Sequence, residues 1–476
     1  MAEQPTYGFY IGGQWVTPTK TMPVSDKYRG TTLAYVGSAT REEVQAAIEA
    51  ADQAFQSQSP SPQERAQWLL RSAALLQERR QDFAHLMAQE GGKPLKEALG
   101  EVDRAVQTFI LSAEEGKRIG GETLPIAAQP GSEHRLAFTM RVPIGVVVAI
   151  SPFNFPLNLV AHKVAPALAA GNTVVLKPAS YTPLTTIRLV EVLAEAGVPA
   201  GRINLITGPG GSTGDYLLED PRPAFYTFTG SAVVGQHIKE ASGLRRVALE
   251  LGNNSPNIVH SDADLTQAAV LCARQGFLSA GQKCISVQRI YVHQPVYEAF
   301  LAELVAVTQR LVVGDPQDPA TDVGPMIDPQ EAERVAAWLD EAVSAGARIV
   351  CGGHHTGALF EPTIVADVQP EMKLVCREVF APLVTVTPYA DFKEAVKAAN
   401  DTVYGLQAGV FTHDLDLAMH AAKELAYGGV IINDTSAYRA DLMPYGGVKQ
   451  SGIGREGPRY AIEEMTDLRT VVLNLH

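Results

Sequence analysis

Ile144-Gly145-Val146-Val147-Val148-Ala149-Ile150 is an unbroken apolar run, and Ser151-Pro152-Phe153-Asn154-Phe155-Pro156 follows it at once. A strand with one wet face alternates apolar and polar residues. A continuous apolar run bounded by turn residues is instead expected of a strand buried on both faces, as in a parallel sheet covered by helices. Working outward, residues 173–176, 203–206, 225–228 and 247–249 have the same texture, with helical patterns between them, notably 182–196. That alternation predicts a parallel sheet with crossover helices. A second alternation follows Glu250: residues 287–292, 296–311, 383–387, 392–399, 415–426 and 430–432. The chain is therefore expected to be α/β, with two doubly wound parallel-sheet domains that meet near Glu250.

Helices are expected first. Thr40-Arg41-Glu42-Glu43 and Ser61-Pro62-Gln63-Glu64 have the form of capping boxes, the second with Pro at the first helical position. A further amphipathic stretch covers about 94–119, and Gly120, Gly121 and Pro125 end it. Residues 136–142 look extended, an arm or hairpin rather than core. The last residues, 468–475, read as a terminal strand that needs a partner, with another subunit as a candidate.

A chain of 476 residues exceeds what one core normally holds. It is 46% hydrophobic and 19% charged, ordinary for a globular protein. With 39 Lys and Arg against 52 Asp and Glu, the net charge is −13, which argues against a general nucleic-acid or anionic-membrane binder. No apolar run is long enough to span a bilayer. The four cysteines, Cys272, Cys284, Cys351 and Cys376, show no CxxC spacing, and with the histidines they form no zinc pattern, so no metal is expected. Cys272, Cys351 and Cys376 read as structural. Met1-Ala2-Glu3-Gln4-Pro5 has no signal pattern, and a reducing cytoplasm is the simplest compartment.

Ligands of an open parallel sheet bind beyond the carboxyl ends of its strands. Polar clusters fall there: Lys177 after 173–176, Thr229-Gly230-Ser231 with Gly235 beyond it after 225–228, and Glu250 after 247–249. Gly and Ser at a helix N-terminus suit a phosphate, because free N–H groups and the helix dipole face it. The same residues also make a tight turn with a Ser cap. Asn154, between two prolines and two aromatics, suits a preorganised donor to an oxyanion, or a plain turn. Cys284, in Ser279-Ala280-Gly281-Gln282-Lys283-Cys284, is a thiol on a glycine turn. A thiolate is a strong nucleophile, and a carboxylate that reaches water, such as Glu250, completes a covalent cycle.

Together these stretches resemble the NAD(P)-dependent aldehyde dehydrogenase superfamily. The resemblance rests on PFNFP at 152–156, KPAS at 177–180, FTGSAVVG at 228–235, ELG at 250–252, GQKC at 281–284, EVFAPL at 378–383 and PYGGVKQSGIGRE at 444–456. It runs in order from about residue 8 to the C-terminus. It implies a Rossmann-like dinucleotide-binding domain over 1–118 and 142–249 and a catalytic domain over 250–445. It also implies a small β oligomerisation arm and terminal strand over 119–141 and 457–476. The implied cofactor is NAD or NADP, the implied partner a small-molecule aldehyde, and the implied assembly a homodimer or homotetramer. By resemblance, Cys284 attacks the aldehyde carbon, Asn154 and the Cys284 N–H hold the oxyanion, and Glu250 activates the water that hydrolyses the thioester. Lys177 would contact the adenosine ribose, Glu378 and Phe380 the nicotinamide ribose, and Gly230 and Ser231 the pyrophosphate, with Gly235 in the same motif.

Four departures stand out. Ser180 stands where the family often has a Glu that pairs with the ribose 2′-hydroxyl; a Ser does not repel a 2′-phosphate, so NADP should be tolerated. Asn253-Asn254 replaces the frequent Gly-Lys, and Phe153 replaces the common Trp. Lys283 precedes the nucleophile where an apolar or small residue is usual. With Arg104, His162 and Arg439 it resembles the arrangement in members that oxidise aldehydes bearing phosphate, phosphonate, sulfonate or carboxylate. The same cations also suit structural ion pairs, or in the case of Lys283 a solvent-facing ammonium. A CoA-acylating semialdehyde dehydrogenase has no need of a water-activating base, so Glu250 argues against it. The intact Cys284, Glu250 and Asn154 argue against a silent structural relative.

Overall fold

The computed structural model describes residues 4–57 and 59–475. Met1–Glu3 and His476, the outer ends of the expected domains and the start of the stretch without a signal pattern, lie outside the described residues, as does Gln58. Both sequence-level helix starts form. Thr40 N–H donates to Glu43 at 2.8 Å at the head of the helix Arg41–Ser57. Ser61 N–H donates to Glu64 at 2.7 Å at the head of Pro62–Glu78. Each cap contributes about 1 kcal/mol by satisfying otherwise orphaned donors.

The larger sheet has eight strands. Five of them are parallel, in the spatial order Arg246–Glu250, Pro223–Thr229, Val146–Ile150, Thr173–Lys177, Ile203–Leu205. Gly452–Ile453 closes one edge antiparallel, and Phe9–Ile11 with Gln14–Val16 closes the other. The apolar run explains itself here. Val147 and Ala149 pack into the core on one face, with Leu157 and Val160. Val146, Val148 and Ile150 pack into a second core on the other face, with Val44 and Ile48. Full burial of each such valine is worth about 1.5–3 kcal/mol, so neither face tolerates a polar residue.

The second sheet has seven strands. Its parallel part runs Thr363–Ala366, Leu383–Tyr389, Arg289–His293, Pro256–Val259, Gln407–Phe411, Gly429–Ile432. Arg348–Cys351 is its antiparallel edge. Val259, Ile290 and Val292 serve one core, and Ile258 and Tyr291 the opposite one. Two doubly wound sheets are thus the frame of the molecule.

The C-terminal strand finds its partner within its own chain. Thr466–Asn474 pairs antiparallel with Arg135–Pro143 along its whole length, and Thr123–Leu124 completes a small third sheet. Leu136, Met140, Leu468 and Val472 of that sheet remain exposed. Within the stretch 457–476, the helix Pro458–Glu464 instead packs on the helices Asn158–Ala170 and Leu95–Gly116.

Candidate active site

The carboxyl ends of the first sheet open onto a cleft of about 830 Å³. Asn154, Lys177, Ser180, Gly230, Ser231, Glu250, Cys284, Glu378 and Phe380 all line it. The topology explains the convergence. Asn154, Lys177, Gly230 and Glu250 end or follow adjacent parallel strands, while Cys284 precedes the strand Arg289–His293 of the other sheet. Gly235 does not line the cleft. A Cβ there would meet Leu251 Cδ2 at 2.5 Å, so this glycine lets its helix lie close to the segment that follows Glu250.

The thiol rests on a constrained turn. Ser279 (φ 52°), Ala280 (φ 53°) and Gly281 (φ 68°) are consecutive left-handed residues, which a non-glycine adopts only when its surroundings impose it. Glu97 supplies part of that: its carboxylate accepts Ser279 N–H at 3.0 Å and the Ser279 hydroxyl at 2.6 Å. Asn154 Nδ2 donates to the Gln282 carbonyl at 2.8 Å, so the amide is held two residues from the thiol. Burial pushes the Cys284 thiol up to about 11, against the lowering effect of its hydrogen bond with Tyr445. The thiol therefore needs stabilising neighbours to ionise near neutrality.

Glu250 is 3% exposed, and among the described residues neither carboxyl oxygen has a hydrogen-bond partner. Burial, then the nearby Glu456 charge, holds its pKa well above the usual carboxylate range. Gly446 makes room for it: a Cβ there would lie 2.9 Å from Glu250 Oε1. A buried, unsatisfied carboxyl is costly, and it points to a role with an incoming water or substrate.

The other end of the cleft fits a dinucleotide. Lys177 is 3% exposed, yet among the described residues its ammonium has only the Pro178 carbonyl as partner, at 3.3 Å, and burial lowers its pKa to about 8. A buried cation without a counter-charge is a ready donor to ribose hydroxyls or phosphate. Ser231 caps the helix Ala232–Ala241, whose first turn borders the cleft, so a phosphate would meet a helix N-terminus. Glu378 accepts Asn253 N–H at 2.9 Å, and burial raises it to about 7. Phe380 takes φ 55° and packs edge-on against Phe153 at 5.9 Å. Ser180 donates to the Gly208 carbonyl at 2.9 Å, leaving no carboxylate at that position.

Of the four expected substrate cations, three meet carboxylates of this chain. Arg104 grips Asp441 through Nε at 3.0 Å and Nη2 at 2.7 Å, and His162 Nε2 lies 2.8 Å from the same carboxylate. Burial would raise Asp441, but His162 and Arg104 outweigh it and hold it below the ordinary carboxylate range. Arg439 donates to Glu456 at 2.9 Å, and Lys163 donates to its other oxygen at 2.9 Å. The structural ion pairs left open by the sequence are thus present for Arg104 and Arg439. Lys283 is buried rather than solvent-facing. Its ammonium donates to the neutral Gln275 amide at 3.1 Å, and burial, against Glu97, lowers its pKa to about 8. One donor remains unused: among the described residues Arg439 Nε is buried without a partner, while His162, kept neutral by burial with its Nε2–H on Asp441, presents a bare Nδ1 that can only accept.

Sequence reasoning missed Glu97, Lys163, Asp441, Tyr445 and Glu456. Two signals were available. Glu97, Glu101, Arg104 and Thr108 recur at helical spacing along Leu95–Gly116 and form one polar stripe. That stripe holds the thiol turn through Glu97, the Asp441 loop through Arg104, and the helix after Asn154 through Glu101, which accepts Leu157 N–H at 2.9 Å. Lys163 is the one cation in the wholly buried helix Asn158–Ala170 apart from any charge on His162.

The aldehyde dehydrogenase family model matches residues 15–471. A 3-sulfolactaldehyde dehydrogenase of Priestia megaterium is 52% identical over 469 residues, 98% of each chain. Among solved structures, aldehyde dehydrogenase 21 of Physcomitrella patens, in complex with the reaction product succinate, superposes with a TM-score of 0.96 at 39% identity, covering 99% of each chain. A glyceraldehyde-3-phosphate dehydrogenase of Methanocaldococcus jannaschii complexed with NADP superposes with a TM-score of 0.92 at 39% identity, covering 96% of this chain and 100% of that one. The chain belongs to the aldehyde dehydrogenase family.

Proposed function

We propose that this aldehyde dehydrogenase oxidises a short aldehyde with an anionic tail, a sulfonate first among candidates, to the carboxylate, with NAD or NADP. The observation that carries this is one cleft holding the Cys284 thiol, the Asn154 amide and an unpartnered Glu250, beside the uncompensated Lys177 ammonium. Cys284 adds to the carbonyl carbon as thiolate. Asn154 Nδ2 and the Cys284 N–H donate to the oxygen of the tetrahedral adduct, where preorganised donors act most strongly. A bound dinucleotide supplies the acceptor for the hydride that this adduct loses. The resulting thioester sits on Cys284, and Glu250 takes a proton from the water that attacks it, releasing acid and thiol. Lys177, Ser180, Gly230, Ser231, Glu378 and Phe380 hold the dinucleotide, and Gly235 supports that wall from behind. Ser180 admits a 2′-phosphate.

The substrate assignment draws on the 52% identical relative, on the unused Arg439 Nε donor and on the Lys283 ammonium, whose partner is a neutral amide. Charge-assisted hydrogen bonds from such groups favour a sulfonate, phosphate or carboxylate over a neutral tail. The exposed apolar residues of the third sheet favour a dimer or tetramer built through it. On this reading 1–118 with 142–249 binds the cofactor and 250–445 carries the nucleophile, with 119–141 and 457–476 serving assembly. The four unpaired cysteines suit a reducing cytoplasm. Among the described residues, no helix is long and apolar enough to cross a membrane.

A panel of anionic and neutral aldehydes, assayed with both dinucleotides, tests this. The expected result is a kcat/KM at least tenfold higher for 3-sulfolactaldehyde than for lactaldehyde. Equal values would overturn the anionic assignment.

A further inference from the structure

Tyr445 stands on the thiol. Its phenol oxygen lies 3.0 Å from Cys284 Sγ, and among the described residues the sulfur has no other hydrogen-bond partner. Three contacts fix the phenol there. The Tyr445 and Glu456 backbones pair antiparallel, with Tyr445 N–H donating to the Glu456 carbonyl at 3.0 Å and Glu456 N–H returning to Tyr445 at 2.6 Å. The Arg439 guanidinium sits 3.7 Å from the centre of the Tyr445 ring. The Glu456 carboxylate in turn anchors that guanidinium at 2.9 Å. Tyr445 is 2% exposed, so the phenol is not exchanging this contact for bulk water.

We propose that Tyr445 is a catalytic residue: its hydroxyl donates to the Cys284 sulfur and stabilises the thiolate that attacks the aldehyde, and Arg439, stacked on the ring, is the positioning residue that strengthens this donation. The inference rests on the reading of Cys284 as nucleophile. A hydrogen bond to an anionic acceptor is roughly twice as strong as one to a neutral acceptor, so the donor favours thiolate over thiol. A cation on the ring face withdraws electron density from the phenol and makes it a better donor. Tyr445 keeps its own proton, because burial, then the Cys284 charge, raises its pKa well above the ordinary phenol value. The other charged groups that face the thiol divide: Glu378 and Glu250 oppose the thiolate, while Arg439 and Lys283 favour it. Among the described residues, none of these four hydrogen-bonds to the sulfur, and Tyr445 does.

The test uses full-length protein without dinucleotide and reads the Cys284 thiolate by its absorbance at 240 nm against pH, with Cys284→Ser as the blank, together with the rate of alkylation by iodoacetamide. Tyr445→Phe keeps the ring and its stacking on Arg439 and removes only the hydroxyl. Its titration midpoint is expected to rise by about one pH unit, with alkylation about tenfold slower at pH 7 and unchanged on the alkaline plateau. A merely structural role would lower the rate at every pH and leave the midpoint in place. As a second probe, 3-fluorotyrosine placed at 445 is a stronger donor and is expected to move the midpoint down. Midpoints that do not move in either protein would overturn the role of Tyr445. If Cys284→Ser still oxidises aldehydes, the nucleophile reading fails instead; if it is inactive and the midpoints are fixed, only the Tyr445 inference fails.

Discussion

The Glu97 carboxylate accepts both the N–H and the hydroxyl of Ser279, at 3.0 and 2.6 Å, across the interface between the two sheets' domains. The helix of the first domain thereby fixes the left-handed turn that presents Cys284 from the second. Replacing Glu97 with Ala leaves Ser279 N–H unpaired and lets the turn relax. The expected outcome is a fall in kcat of about tenfold or more, from loss of one or two charge-assisted hydrogen bonds. The Kd for NADP, measured by fluorescence quenching, should stay within about twofold because Glu97 does not line the dinucleotide cleft. A parallel loss of NADP binding would contradict this role.

Lys283 is the cation next to Cys284, and its hydrogen-bond partner is a neutral amide. Lys283→Leu should raise KM for 3-sulfolactaldehyde by about tenfold or more and that for lactaldehyde by less than about twofold. Steady-state kinetics on the two aldehydes checks this, and equal changes would remove Lys283 from substrate recognition.

Glu250 carries a pH signature in stability as well as in rate. Its folded pKa lies well above its unfolded value, chiefly through burial. Above the unfolded pKa of about 4.3 the folded chain binds more protons at this site than the unfolded chain. Its contribution to stability is therefore full at low pH and is lost as pH rises through the folded pKa. Glu250→Gln has no such charge to bury, so its Tm relative to the parent should increase steadily from pH 5 to pH 8, while thioester hydrolysis is lost. Melting curves with constant or falling ΔTm over that range would show that Glu250 is not buried as described.

Ser180, proposed above to face the ribose 2′ position, carries a hydroxyl that donates to the Gly208 carbonyl. Ser180→Glu should lower kcat/KM for NADP by about thirtyfold, the effect of roughly 2 kcal/mol of like-charge repulsion. It should change NAD turnover by less than about threefold. A variant with unaltered NADP kinetics would place the 2′-phosphate elsewhere.

The paired sheets were legible because Val146–Ile150 and its neighbours feed two cores at once, and only a doubly covered strand has that composition. Asn154, Lys177, Glu250 and Cys284 were legible because they end strands or sit on glycine turns, where a side chain can face a cleft. The carboxylates that neutralise the expected cations were not. Asp441 lies hundreds of residues from Arg104 and His162, and even Glu456, 17 residues from Arg439, reaches it only through the fold of their loop, so no local pattern reports either pairing. The motif position of Gly235 suggests the phosphate; its missing Cβ also accommodates Leu251, a packing constraint that the motif does not report. The terminal strand was legible as a strand, but its partner, Arg135–Pro143, depends on topology that periodicity does not encode.

The proposed chemistry turns on a thioester on Cys284 that Glu250 clears. Glu250→Gln protein, mixed with 3-sulfolactaldehyde and NADP, or NAD if the panel prefers it, then acid-quenched and digested, tests it most directly by peptide mass. A burst of about one equivalent of reduced dinucleotide per site is expected, with the acyl mass on the peptide containing Cys284 and none when Cys284→Ser is combined with Glu250→Gln. An unmodified Cys284 after the burst, or the same acyl mass retained in the Cys284→Ser protein, would contradict that chemistry.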